Sequence, residues 1–194
     1  MGEVVDNLAQ MYRSGLSMSE IAKHEGCSVH KIQWHLDKVG VERRSRSEAG
    51  YVKHNPDGDP FAMRTPKTLA EAKLLGLGIG LYWGEGTKAS TTSVRLGNTD
   101  PVLLRTFVKF LMDTCGVPAG RIKYGLQIFE DINKKEAVDY WLKELNITRE
   151  QFFPTIVVSP AQGKGTYRRK AKYGVVTVYF NNKKLRDILV NMLQ

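Results

Sequence analysis

Apolar residues recur at helical steps through residues 3–14, where Val4, Val5, Leu8, Met11 and Tyr12 fall near one face. Ser17 or Ser19 is placed to cap a short second helix, SEIAKHEG, which Gly26 stops. Ser28 is placed to cap a third, SVHKIQWHLDKVG, which ends at Gly40. Residues 41–67 keep no period, and RRSRS, HNPDGDP and RTPKT are loop chemistry, so this stretch reads as a basic linker or arm. Periodicity returns at TLAEAKLLGLGIGLYWGEG, where Thr68 and Glu71 have capping-box spacing and a helix of about four turns follows. A short strand at 93–98 precedes a helix capped by Asp100, with Pro101 at its first position. RIKYGLQIF alternates as a strand does, and 133–145 is helical with Trp141 on its apolar side. YGVVTVYFNN alternates again, and KKLRDILVNML closes the chain with Leu185, Ile188, Leu189 and Met192 at helical steps. The glycine-rich helix occurs once. The expected organisation is a small all-α domain at 1–40, a linker at 41–67 and an α+β domain at 68–194.

Length and charge narrow the class. The chain has 194 residues, 42% of them hydrophobic, and a formal charge of +9, which favours an acidic partner. Residues 68–194 hold 19 of the 29 basic and 11 of the 20 acidic residues, and so +8 of the +9. Cys27 and Cys115 stand apart with no CxxC, which indicates neither a disulfide framework nor a zinc site. MGEVVDNLAQ is acidic and polar, unlike a signal peptide, and the apolar run at 74–83 is too short to span a bilayer. A cytoplasmic protein with no membrane partner is the expectation.

Three short helices with Ile21, Ala22, Gly26 and Ile32 at these separations resemble a helix-turn-helix of the resolvase or homeodomain-like kind. Ala22 must be small where the third helix crosses, Gly26 takes the tight turn, and Ile32 fills the space between helices. In such motifs the third helix enters the major groove, which here would present Ser28, His30, Lys31, Gln33 and Trp34. His24, His30 and His35 are close in sequence but lack a completing ligand pattern, so they read as surface or DNA-facing residues. Arg43, Arg44 and Arg46 follow directly and either lie along phosphates or form a solvated link.

Gly76, Gly80 and Gly84 recur every four residues and form one helical stripe. Each costs roughly 1 kcal/mol against alanine, a cost that close contact with another helix offsets. Gly78 adds a fourth such cost that the stripe leaves unexplained. Glu85 ends the helix, with Gly86 as the expected left-handed stop. A carboxylate there faces the unfavourable end of the macrodipole, so water or a cation must compensate. Two copies paired through the stripe would bring two Glu85 carboxylates together, an oxygen donor pair that suits Mg²⁺.

GIGLYWGEG at 78–86 resembles the LAGLIDADG helix, and NTDP, YFNNKKL and the order of elements after it are similar to that homing-endonuclease family over residues 68–194. The resemblance implies an α-β-β-α-β-β-α saddle, here with an added helix at 133–145. It implies a metal-binding, catalytic role for Glu85, a water-ordering role for Asn98, and helix packing through Gly76, Gly80 and Gly84. The family's basic active-site residue aligns with no motif here, and Lys123, Lys170 and Lys172 are candidates by location alone. Glutamate replaces the commoner aspartate, and only GTKASTT separates the helix from the next strand, where the family spends a long β-ribbon.

The alternation puts Arg121, Lys123 and Gln127 on one strand face, and Val175, Thr177, Tyr179 and Asn181 on another. With Arg95, they make a polar, basic surface of the kind that reads a groove, or an ordinary solvated sheet face. GKGTYRRKAKYG carries Lys164, Arg168, Arg169, Lys170 and Lys172 without an acid, a patch suited to phosphate. The resulting expectation is a sequence-specific, Mg²⁺-dependent DNA endonuclease acting as a homodimer on double-stranded DNA. The alternatives are a non-catalytic transcriptional regulator with a degenerate LAGLIDADG domain and an intron-splicing maturase that binds RNA.

Overall fold

Local capping sets where the helices begin. In the computed structural model, which describes residues 2–158 and 171–193, α1 spans Gly2–Arg13, α2 Met18–His24 and α3 Val29–Lys38. Ser17, not Ser19, caps α2: its hydroxyl accepts from the Glu20 N–H while the Glu20 carboxylate accepts from the Ser17 N–H. Ser28 caps α3 by accepting from the Lys31 N–H. Gly26 turns between them at φ 61°, a conformation that costs glycine nothing. Leu8, Ala9, Tyr12, Ile21, Ala22, Ile32 and Leu36 then close one small core.

The region expected to be a linker contains a helix. Helix α4 occupies Arg46–His54, started by a capping box between Ser45 and Glu48. It buries no residue fully, so there is no apolar stripe for a periodicity argument to find. The chain divides into two compact units, Met1–Pro60 and Phe61–Gln194. Just after the division, Ala62 and Arg64 donate backbone hydrogen bonds to the Cys115 and Thr114 carbonyls (2.9 and 2.8 Å). Residues 61–64 are therefore a strap of the second unit.

The second unit is α+β. Its elements are α5 Leu69–Glu85, β1 Val94–Asn98, α6 Pro101–Lys109, β2 Lys123–Phe129, α7 Lys134–Leu145, β3 Ile156–Val158, β4 Val175–Phe180 and α8 Lys183–Asn191. A π-turn at Phe110–Thr114 extends α6. The sheet runs β1-β4-β2-β3, with β4 antiparallel to both neighbours and β3 parallel to β2. Between α5 and α6 the described residues hold one strand rather than the two expected. The other is reduced to a single bridge, Gly86 to Leu96, because the connecting segment is too short to make a ribbon. The buried strand side chains, among them Leu96, Val178, Tyr124 and Leu126, share one core with Tyr82, Phe107, Phe110, Trp141, Leu185 and Leu189 from the helices. No helix among the described residues is long and apolar enough to cross a membrane.

Candidate nucleic-acid interface

Helix α3 buries Ile32 and Leu36 and turns its other side outward. His30, Lys31 and Trp34 are exposed and Gln33 is half-buried. The Trp34 ring lies under the Lys38 ammonium, 5.0 Å from the ring centre. Ser28 is exposed, but its oxygen already accepts the capping hydrogen bond, so its first role is structural. Arg46 is exposed, and Arg43 lies 3.6 Å from the Asp37 carboxylate.

Arg44 does not belong to a phosphate-binding arm. Its guanidinium sits 4.1 Å over the Tyr12 ring and donates to the carbonyls of Gly15, Tyr12 and Leu16, tying down the orphan end of α1. Its own N–H donates to the Tyr12 hydroxyl at 2.9 Å. These partners lie about thirty residues away, beyond any local pattern. Arg44→Ala is expected to destabilise the first unit by about 2 kcal/mol, the worth of charge-assisted hydrogen bonds at a half-buried site. Hydrogen exchange of the α1–α3 amides reads this; unchanged protection contradicts it.

Helix α5 carries the second candidate. Methyl groups built on Gly76, Gly80 and Gly84 meet nothing within 4 Å, so the stripe faces open space. Leu69 (87% exposed), Leu77 (46%) and Trp83 (65%) are also uncovered on this helix. Gly78 packs against the body of the protein instead: a methyl there would lie 2.0 Å from Cγ of Phe110. The cost that the stripe left unexplained is thus offset inside the unit.

Glu85 is exposed at the C-terminus of α5. The cation at that end is Lys88, whose ammonium donates to the Trp83 carbonyl. Gly86 is not the left-handed stop expected; it is extended, at φ −71° and ψ 142°. Glycine is needed because a Cβ would lie 2.3 Å from the Tyr82 carbonyl oxygen as the chain bends into its bridge with Leu96. Arg186 of α8 braces the following loop, donating from Nε to the Ser90 carbonyl (2.8 Å) and from a terminal nitrogen to the Lys88 carbonyl (2.7 Å). No pattern in the sequence singled it out.

Asn98 closes β1, but its side-chain oxygen accepts from the Thr99 and Asp100 N–H groups (2.8 and 2.9 Å). It shapes the turn into α6, and that oxygen is not free to order water. The Lys123 ammonium donates to the Glu150 carbonyl at 3.2 Å.

The outer sheet face is polar and basic. Cross-strand pairing sets Arg95, Tyr179 and Lys123 in one row over β1, β4 and β2, and Gly97, Thr177 and Gly125 in the next. Gln127 and Val175 are exposed beyond them. Arg121 belongs to a 3₁₀ turn at Ala119–Arg121 ahead of the strand, and Asn181 is exposed just after β4. Phe153, which the sequence did not single out, meets Tyr179 edge-on at 5.4 Å. Lys164, Arg168, Arg169 and Lys170 lie outside the described residues. Lys172 is exposed, with its ammonium 5.0 Å from the Tyr173 ring centre, and its hydrogen bond to the Tyr173 side chain raises its pKa. Tyr173 stacks on Tyr140 at 3.9 Å, which commits that ring to the protein.

No family model, curated protein or solved structure matches the chain. Among the described residues no three His, Cys, Asp or Glu side chains form a metal-binding group. The donor chemistry still fits Mg²⁺ in one way, because Mg²⁺ takes one or two carboxylates and fills its shell with water and phosphate oxygens. Glu85 supplies one exposed carboxylate per chain, and a second copy would supply another.

Proposed function

We propose that this chain is a sequence-specific duplex-DNA-binding protein of LAGLIDADG type that works as a homodimer and cleaves its site at paired Glu85 carboxylates. The observation that carries the reading is the combination on α5: a glycine face open along its length and an exposed carboxylate at its end. Close helix pairing through the stripe is what would bring two such carboxylates together. Glu85 and its counterpart from a second copy would hold Mg²⁺, whose chemistry there would be Lewis-acid activation of a phosphate and a water. Lys88 compensates the helix terminus, and Arg186 holds the loop after Glu85 in place. Outward side chains of α3 read base edges, and exposed cations hold phosphates and release counterions.

A second reading, a DNA-binding regulator that does not cut, is favoured by one specific pair of contacts. The Asn98 oxygen and the Lys123 ammonium, the two helpers that hydrolysis would draw on, are both engaged by backbone groups. Both readings require base recognition by α3. Gln33→Ala or His30→Ala is expected to lower preference for a selected site over scrambled duplex by about tenfold, within the ~1–3 kcal/mol of a base contact. Non-specific affinity should hold. Competition binding reads the ratio, and equal loss on every duplex would reassign these residues to packing or phosphate contact.

A further inference from the structure

A groove opens in the second unit where the strap of residues 61–64 runs on into α5. Arg64 is fixed at one end: its N–H donates to the Thr114 carbonyl at 2.8 Å and its guanidinium to the Asp113 carbonyl at 3.3 Å. Thr68 is fixed at the other as the cap of α5. Thr65, Pro66 and Lys67 bridge the interval, and the proline has no N–H with which to draw the bridge onto the helices. The groove between this bridge, the first turns of α5 and the π-turn has a volume of about 690 Å³. Small-molecule sites occupy roughly 300–1,000 Å³.

The walls favour an anion. Both carboxylates among them are committed: Glu71 accepts from the Lys67 and Thr68 N–H groups (2.6 and 3.2 Å), and Asp113 holds the Lys109 ammonium. The Lys67 ammonium is exposed and meets no partner among the described residues. The Arg64 guanidinium uses one terminal nitrogen on the Asp113 carbonyl and keeps its other N–H groups. Ala70, at the second position of α5, adds an N–H for which the helix has no acceptor.

The deciding group is Thr114. It lines the groove and is 5% exposed, yet its hydroxyl has no hydrogen-bond partner among the described residues. A hydroxyl so far removed from water costs free energy unless something bonds it. Half-buried Pro66 and Leu74 put apolar surface beside it. Hydroxyl, N–H and two cations next to an apolar floor match the oxygens and the organic body of a phosphate monoester.

We propose that this groove binds a small phosphate monoester with an apolar body. The phosphate meets Arg64, Lys67, the Ala70 N–H and the Thr114 hydroxyl, and the body lies on Pro66 and Leu74. The 17 residues of α5 put Glu85 about 25 Å away, so this phosphate is not one on which Glu85 acts. The inference rests neither on cleavage at Glu85 nor on site reading by α3.

The test is isothermal titration calorimetry of the full chain with phenyl phosphate, inorganic phosphate and benzoate. Phenyl phosphate is expected to bind tightest, about tenfold tighter than inorganic phosphate, through burial of its ring. Thr114→Val removes the hydroxyl at nearly constant volume and should weaken phenyl phosphate about tenfold, as for a lost hydrogen bond to a charged group. Its unfolding midpoint should hold or rise, because the hydroxyl has no partner to lose. Thr114→Ser should keep the binding. Lys67→Gln should weaken it about threefold and reduce its salt dependence. The Lys67 side chain bonds to nothing, so this variant decides the matter even if Thr114→Val folds poorly. Absence of heat with phenyl phosphate overturns the proposal, as does undiminished affinity in Lys67→Gln and Thr114→Val. Tighter binding of benzoate would replace phosphate by carboxylate, and equal binding of inorganic phosphate would leave the apolar floor without a role; either result overturns the ligand class. None of these results bears on the Gln33 and His30 experiment, so the two readings fail separately.

Discussion

Glu85→Gln is expected to abolish Mg²⁺-dependent cutting of a bound duplex while its affinity for that duplex in Ca²⁺ stays the same. The side chain is exposed, so the amide fits where the acid stood and the fold loses nothing. What changes is charge. The last carbonyls of α5 already disfavour an anion, and Lys88 offsets them by bonding to the Trp83 carbonyl rather than to the carboxylate. Bringing two such carboxylates together in a dimer raises the cost further, and a shared cation relieves it. Removing a direct metal ligand should therefore cost more than about a hundredfold in rate, the upper end of what loss of an outer-shell partner costs. Single-turnover cleavage reads the rate and filter binding in Ca²⁺ reads the affinity. A wild-type protein that binds its site and leaves it intact in Mg²⁺ and Mn²⁺ would establish the regulator reading, with Glu85 as a relic.

The second large effect separates two kinds of glycine on one helix. Gly78→Ala should destabilise the second unit by about 2 kcal/mol. The new methyl falls 2.0 Å from Phe110 Cγ, at the base of a ring that is fully buried and cannot swing away. Overpacking of this kind costs about 1–3 kcal/mol or more, against roughly 1 kcal/mol returned by helix propensity. Gly80→Ala should have the opposite sign in the monomer, a gain of up to about 1 kcal/mol, because its methyl meets nothing within 4 Å. Denaturant unfolding at low protein concentration compares the two. In the proposed dimer, Gly80→Leu should hold the helices apart and leave monomer by analytical ultracentrifugation, with the fold intact. Destabilisation by Gly80→Ala equal to that of Gly78→Ala would mean that the stripe packs within the chain.

Legibility in the sequence followed the range of each interaction. The caps at Ser28, at Thr68 with Glu71, and at Asp100 with Pro101 could be read directly because acceptor and donor lie within three residues. Strand alternation likewise separated Tyr124 and Leu126 from Lys123 and Gln127. What escaped was set by partners far away in the chain. Arg44 looks like an arm residue until the end of α1 is placed beneath it, and Gly78 looks superfluous until Phe110 arrives from the π-turn. Asn98 could be matched by motif, yet the motif does not say that its oxygen turns to the Asp100 N–H. Helix α4 gives no periodic signal, because its capping box lies among loop-type residues and no apolar stripe backs it. Gly86 does mark the end of α5, but through its steric closeness to Tyr82 and not through a positive φ.

The most direct test of DNA recognition by a paired molecule is selection from a randomised duplex library by the full chain, with salt titration of the winner. The account predicts enrichment of a two-fold-symmetric site, as homodimer symmetry requires. It also predicts that affinity for this site falls steeply as salt rises, through release of phosphate counterions. No enrichment over the starting pool, together with salt-independent or absent duplex binding, would contradict it.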